Sequence, residues 1–266
     1  MDLATPVGVI VAIIIMCVSY TLEGGHPAVI VSHPSPILLV IGGTMVVCLA
    51  GNRMTDVGGL VKATLRHVLP GKAAPDAAEE IGRLMTLADT ARRDGLLALE
   101  EEVAKVEDPF LKRGLELVVD GSDTDVVVET LGKDIDALRE RHKVAAKFWA
   151  DAGAFAPTLG IIGTTLGLIH ALEGLDDPSG LGKSIAIAFL ATLWGVGSAN
   201  LFFLPLSNKM KRTSALEVAH REMLLEGVLA VQAGSPPRAL AERLKSHIAP
   251  AKREAVPDKA APAKAA

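Results

Sequence analysis

The residues of this chain best placed to do chemistry lie in APTLGIIGTTLGLI, residues 156–169, and in GLGKS, residues 180–184. GLGKS ends like a phosphate-binding loop. The pattern GxxxxGK[ST], however, requires glycine at position 177, where the chain has Asp177, and no strand pattern precedes it. Gly160, Gly163 and Gly167 resemble a dinucleotide fingerprint, yet they stand inside an uncharged apolar run. No nucleotide site is expected. On a helical wheel Pro157, Gly160, Thr164 and Gly167 recur at steps of three and four and share one small, weakly polar side. Leu159, Ile162, Leu166 and Ile169 share a bulky one. Gly163 and Gly167 have the GxxxG spacing that lets membrane helices approach closely. The small side therefore suits a close neighbour or a narrow pathway. Thr164, with Thr192 and Ser198 in ATLWGVGSANLFFLP, supplies hydroxyls that fit either a polar route or ordinary bonding to backbone.

What the apolar runs lack is equally informative. Conducting a proton or sodium ion through hydrocarbon generally requires an ionisable or strongly coordinating group near mid-membrane. These runs hold no carboxylate, only His170 near one end, with Asp151 and Glu173 at the two mouths of the third run. A partner helix is expected to bring the missing acid. Cys17 and Cys48 lack CxxC or metal-ligand spacing and read as packing residues. Pro157 and Pro205 each interrupt the backbone ladder at one end of a run, either as tolerated kinks or as hinges. In ARRDGLLALEEE, Arg92 and Arg93 stand just before Gly95, and Glu100, Glu101 and Glu102 just after it. Two opposite charge clusters across a tight turn suit docking of a charged protein partner; the plain alternative is a solvated face.

The elements that must position these residues follow from segregated charge. Half of the 266 residues are apolar and 22% are charged, with mean hydropathy +0.37. Residues 3–22, 34–51, 152–172 and 184–207 contain no Asp, Glu, Lys or Arg, and each is long enough to cross a roughly 30 Å hydrocarbon core. Every Lys and Arg except Lys183 lies in 52–150 or after 208, so the positive-inside rule puts those regions and both termini in the cytoplasm. The first run lacks a basic n-region and a clear cleavage site and is expected to be retained. The fold class is all-α: a polytopic membrane protein with four transmembrane helices and a helical cytoplasmic domain. The expected organisation is two spans in 1–51, a cytoplasmic helical domain in 52–150 and two spans in 151–208. Cytoplasmic helices follow in 209–249, then a disordered Ala/Pro/Lys tail in 250–266.

Within the cytoplasmic region Asp76 is a candidate cap for a helix over 77–94, with Gly95 closing it. LLALEEEVAKV forms a short acidic helix and Pro109 opens another. Asp123 or Thr124 then caps a long helix able to continue into the third span. A further helical region over 209–247 is interrupted at Gly234 to Pro237.

With IGGT in the second span, ARRDGLLALEEE, APTLGIIGTTLGLI and ATLWG…ANLFFLP in place, the chain resembles the A subunit of the bacterial flagellar motor stator, the MotA/PomA family, over residues 1–245. That resemblance implies an inner-membrane ring of five A subunits around two MotB-like partners, which carry the ion-binding aspartate. It implies no enzyme activity, cofactor or nucleic acid, only a translocated proton or sodium ion. By position, Arg92, Arg93, Glu100 and Glu101 match charges that engage the rotor protein FliG. Pro157 and Pro205 match prolines tied to torque, and Thr164 and Thr192 match threonines near the ion route. Ala191 stands where some sodium-type relatives have a further threonine, which favours a proton. The alternative is an ExbB/TolQ-like energiser of envelope transport, which the paired N-terminal spans disfavour.

Overall fold

The computed structural model describes residues 4–53, 58–60, 64, 76–174 and 178–257. Among them every regular element is helical and there is no strand, as the sequence leads one to expect. The helices are α1 (Ala4–Leu22), α2 (Ala28–Ser32), α3 (Pro34–Ile37), α4 (Gly43–Ala50), α5 (Ala77–Asp94), α6 (Glu100–Ala104) and α7 (Pro109–Val119). They continue with α8 (Thr124–Glu173), α9 (Pro178–Ser198), α10 (Leu204–Gln232), α11 (Pro237–Leu244) and α12 (Pro250–Arg253). Two stretches, Thr124–Glu173 and Gly180–Gln232, are long and apolar enough to cross a bilayer; the apolar helices Pro6–Leu22 and Pro34–Ala50 are shorter. The expected long helix running into the third span is α8, 50 residues without a break.

The chain divides into two compact units, Met1–Gly71 with Arg141–Thr213, and Lys72–Glu140 with Ser214–Ala266. The divisions at 140/141 and 213/214 fall within α8 and α10, not at the expected boundaries 150/151 and 208/209. In the first unit the core is built of small residues. Ala145, Ala146, Ala152, Ala156, Ala191 and Ala199 are all buried, with Phe148, Phe203 and Met210 filling the wider layer. Trp149 stacks on Phe203 with ring centroids 5.9 Å apart and donates from Nε1 to Thr64 Oγ1 at 2.9 Å, which satisfies its polar edge.

The second unit packs α5, α7, α11 and parts of α8 and α10 around Leu84, Leu115, Leu131, Leu224, Leu240 and Leu244, all fully buried. Glycine permits the closest approaches there. A Cβ on Gly114 would lie 2.9 Å from Leu131 Cδ1, and one on Gly227 only 2.5 Å from Leu84 Cδ1. Asp108 caps α7, its Oδ1 accepting from the N–H groups of Phe110 and Leu111 at 2.9 Å each, with Pro109 as the first helical residue. Asp76 stands at the cap position of α5, but its side chain accepts no hydrogen bond from the first turn.

Two expectations change here. LLALEEEVAKV is not one α-helix: Leu96–Leu99 is 3₁₀, a tighter turn that sets both Leu96 and Leu99 against the core, and α6 begins only at Glu100. The tail expected to be disordered from residue 250 begins with α12, and Val256 is buried in the core of the second unit. One apolar side chain and Pro257, packed where a Cβ of Gly82 would come within 3.3 Å, anchor the tail that far. Residues 258–266 of that tail lie outside the described residues.

Candidate functional site

The small side of α8 meets α9. A Cβ on Gly160 would lie 2.9 Å from the Ala191 carbonyl oxygen and 3.1 Å from Gly195 Cα. One on Gly195 would lie 2.7 Å from the Ala156 carbonyl oxygen, and one on Gly167 2.9 Å from Ala188 Cα. The two backbones therefore touch along this seam, as GxxxG spacing allows. Of the two uses open for the small side, the glycines serve a close neighbour, and that neighbour belongs to the same chain. The bulky side is largely unpartnered: Ile162, Leu166 and Ile169 are exposed, whereas Leu159 is half-buried and packs where a Cβ of Gly43 would lie 3.4 Å away.

Thr164 and Thr192 come together on this seam. Thr164 Oγ1 lies 3.0 Å from the Gly160 carbonyl oxygen and 3.1 Å from that of Ala188, and it hydrogen-bonds the Thr192 hydroxyl. The Thr164 hydroxyl has one proton and cannot serve both carbonyls at once, so the proton of Thr192 completes the pair. Both residues are half-buried, which leaves the pair open on one side. Polar oxygens thus cluster at a position with no charge. Asp151, the acid that directly precedes the run, is paired with Lys147 at 2.6 Å.

Pro157 lies inside α8 and Pro205 at the second residue of α10. Each lacks the N–H that would bond the carbonyl four residues earlier, Gly153 and Leu201 respectively, and each ring presses on that carbonyl. Before Pro205 the chain widens into a π-helical turn, Ala199–Phe203, which relieves that pressure. A Cβ on Gly153 would lie 2.5 Å from Leu204 Cδ2, so the residue whose carbonyl Pro157 orphans packs directly on the neighbour of Pro205. The two prolines thus flank one packed contact, that of Gly153 with Leu204. Sequence spacing does not reveal that.

The charged turn lies in the second unit. Gly95 adopts φ 88° and ψ 167°, a conformation that a side chain would strain. Arg93 pairs with Asp89 at 2.6 Å and Glu102 with Lys105 at 2.7 Å, each within its own local segment. Arg92, Glu100 and Glu101 are exposed and carry no ion pair among the described residues. The structure thus separates the four expected docking residues into one tied cation, Arg93, and three charges without an ion pair among the described residues.

Sequence reasoning missed Asn200. It is exposed within the apolar run on the π-helical turn, its Nδ2 donating to the Val196 carbonyl at 2.9 Å. A polar side chain inside an uncharged stretch was the available signal. It also missed Ser207, buried, whose Oγ donates to the Ala146 carbonyl at 2.8 Å and ties α10 to α8. Among the described residues no cluster of His, Cys, Asp and Glu has the arrangement of a metal site.

Comparison with known proteins places these features. The profile of the MotA/TolQ/ExbB proton channel family matches residues 102–223, and that of the motility protein A N-terminal region matches residues 6–95. Motility protein A of Bacillus subtilis is 35% identical over 253 residues, covering 95% of this chain and 92% of that protein. Chemotaxis protein PomA of Vibrio alginolyticus is 36% identical over 257 residues, covering 95% and 98%. Among solved structures, C. jejuni MotAB superposes with TM-score 0.88 at 30% identity, covering 94% of this chain and 97% of that one. The flagellar MotAB stator complex from Bacillus subtilis gives TM-score 0.87 at 32% identity, covering 95% and 98%.

Proposed function

This chain belongs to the motility protein A family, within the MotA/TolQ/ExbB proton channel family, and is a stator subunit of the bacterial flagellar motor; we propose that, with a MotB-like partner, it turns proton flow into torque as follows. Four apolar segments cross the inner membrane, with both termini and the charged unit in the cytoplasm and lipid against the exposed apolar faces. The placement of lysine and arginine supports that orientation. Five copies surround the partner, whose aspartate carries the ion.

The observation that carries this reading is the Thr164–Thr192 pair, a half-buried cluster of oxygens on a seam that contains no acid. A hydroxyl there can donate to an ionised carboxylate brought from outside and a carbonyl oxygen can accept from a protonated one, but none of these groups can itself be charged. Because α9 already fills the glycines of α8, the partner helix meets the open side of the threonine pair and not the whole small face. A protonated aspartate fits apolar surroundings or donates to one of the oxygens, and an ionised one needs donors, a threonine hydroxyl and water. Alternation between these two fits steps the ring. The contact that the prolines flank passes the movement on, and Arg92, Arg93, Glu100 and Glu101 act on FliG. Ala191, 2% exposed and packed against Gly163, brings no third hydroxyl to the threonine pair, which supports the proton over a sodium ion that would need more oxygen ligands.

The test is swimming of a clean deletion strain, scored beside electron micrographs of its flagella. Normal filaments on cells that do not swim, rescued by the intact gene, are the expected result. Normal swimming with envelope or uptake defects would instead favour an ExbB/TolQ-like energiser.

A further inference from the structure

The charged turn holds one side chain that the charges do not explain. Leu97 is 76% exposed, more than any other large apolar residue described in its unit; Leu216 follows at 62%, Val126 at 46% and Val128 at 41%. A scattered exposed leucine needs no explanation. This one is held outward by geometry. In a 3₁₀ turn residues three apart lie on one side, so Leu96 and Leu99 both face the core, and Leu99 is fully buried. Leu97, a third of a turn away, must then point out. Gly95 fixes where the turn starts through its positive φ, so the backbone cannot roll Leu97 inward without extracting Leu99.

Its surroundings are sorted by sign. Arg92 lies on the side of α5, and Glu100 and Glu101 follow on the side of α6. Glu100 also borders a groove of about 370 Å³ between α6 and α7, where Glu116 and Asp120 add two carboxylates against the single ammonium of Lys112. Exposed charges steer partners and set orientation, but in water each contributes little holding energy. Contacts that bear load concentrate in a desolvated centre with a polar rim. The turn has that layout: an aliphatic centre, a cationic edge and an acidic edge.

We propose that Leu97 is the apolar anchor of the rotor-docking surface. It enters a recess on a helical face of the rotor partner that offers a carboxylate towards Arg92 and cations towards Glu100 and the acidic groove. This rests on the reading that residues 92–101 face the rotor.

The test uses the full-length chain with its partner subunit, in the deletion strain for motor torque and purified for binding to full-length FliG. Leu97→Ala should weaken FliG binding about tenfold and lower stall torque, with unchanged thermal stability because the side chain is exposed, while Leu97→Met should keep both. The Leu97→Ala loss should persist as salt rises, whereas the loss in Glu100→Lys should shrink. Wild-type binding by Leu97→Ala beside lost binding by Glu100→Lys would overturn the anchor and leave the rotor-facing surface standing. Unchanged binding by both variants would overturn the rotor-facing reading and the anchor with it.

Discussion

Gly195→Ala is the sharpest perturbation of the membrane seam. Its new Cβ would lie 2.7 Å from the Ala156 carbonyl oxygen, 3.0 Å from Gly160 Cα and 3.3 Å from Gly160 N. All three are backbone atoms of α8, so no side chain can swing aside. Ordinary contact begins at 3.4 Å, and the helices must therefore separate by about 0.7 Å. Overpacking of this kind costs about 1–3 kcal/mol. The separation also stretches the Thr164 bond to the Ala188 carbonyl, now 3.1 Å, and an interhelical hydrogen bond in a membrane adds about 0.6 kcal/mol. The total is about 2–4 kcal/mol, a fall in melting temperature on the order of 5–10 °C for a chain of this size. Gly197→Ala is the internal control. Nothing lies within 4 Å of its Cβ, and alanine is the better helix former, so that variant should hold or gain a degree or two. The assay is thermal unfolding of the purified complex in detergent. Equal melting temperatures for the two variants would refute backbone contact across the seam.

Two further outcomes concern the cytoplasmic unit. Asp108→Ala removes the acceptor for two N–H groups at the start of α7 and should cost about 1 kcal/mol, read as a lower urea midpoint. His220 has its Nε2 2.9 Å from Glu80 Oε2, off the ideal hydrogen-bonding direction, and Glu80 is 5% exposed. Contact with that carboxylate raises the His220 pKa above its ordinary value of 6.5, against burial, which lowers it; Asp108 assists and Arg221 opposes. A raised folded-state pKa means that this stabilisation is fully present below about pH 6.5 and is lost as pH rises through the folded value. The urea midpoint should therefore fall over that range in the wild type and fall less in Glu80→Gln; parallel slopes would count against the pair.

Much of the helix layout was legible because its signals are local. The helix start at Pro109, the stop at Gly95 and the break at Gly234 to Pro237 depend on residues a few positions apart, and all three mark observed helix ends. The two π-helical turns, Leu38–Gly42 and Ala199–Phe203, were not legible. They arise where tertiary packing, and in the second case Pro205, moves the carbonyls out of register, and a helical wheel drawn at 3.6 residues per turn cannot register that shift. The helical start of the tail, residues 250–257, was missed for a related reason. Its composition reads as disordered, and a single Val256 reaching a core built from distant helices reverses the outcome.

The small face of α8 shows where sequence pattern reaches its limit and geometry takes over. Gly160, Gly163 and Gly167 announce that something must come close, but spacing does not say whether the neighbour is in the same chain. The distances do, since the atoms nearest their missing Cβ groups are Ala188, Ala191, Thr192, Gly195 and one methyl of Leu39. That assignment changes the chemistry expected of a partner. On the proposed function, a helix bringing a carboxylate cannot bury itself along the whole glycine face and meets the open side of the Thr164–Thr192 pair. Its acid then stays near an edge that water can reach, where taking up and releasing a proton costs far less than it would within a fully closed seam. On that proposal, close packing inside the subunit and a loosely held acid outside it become one requirement, because a rigid seam can present the same two hydroxyls at every step of the ring.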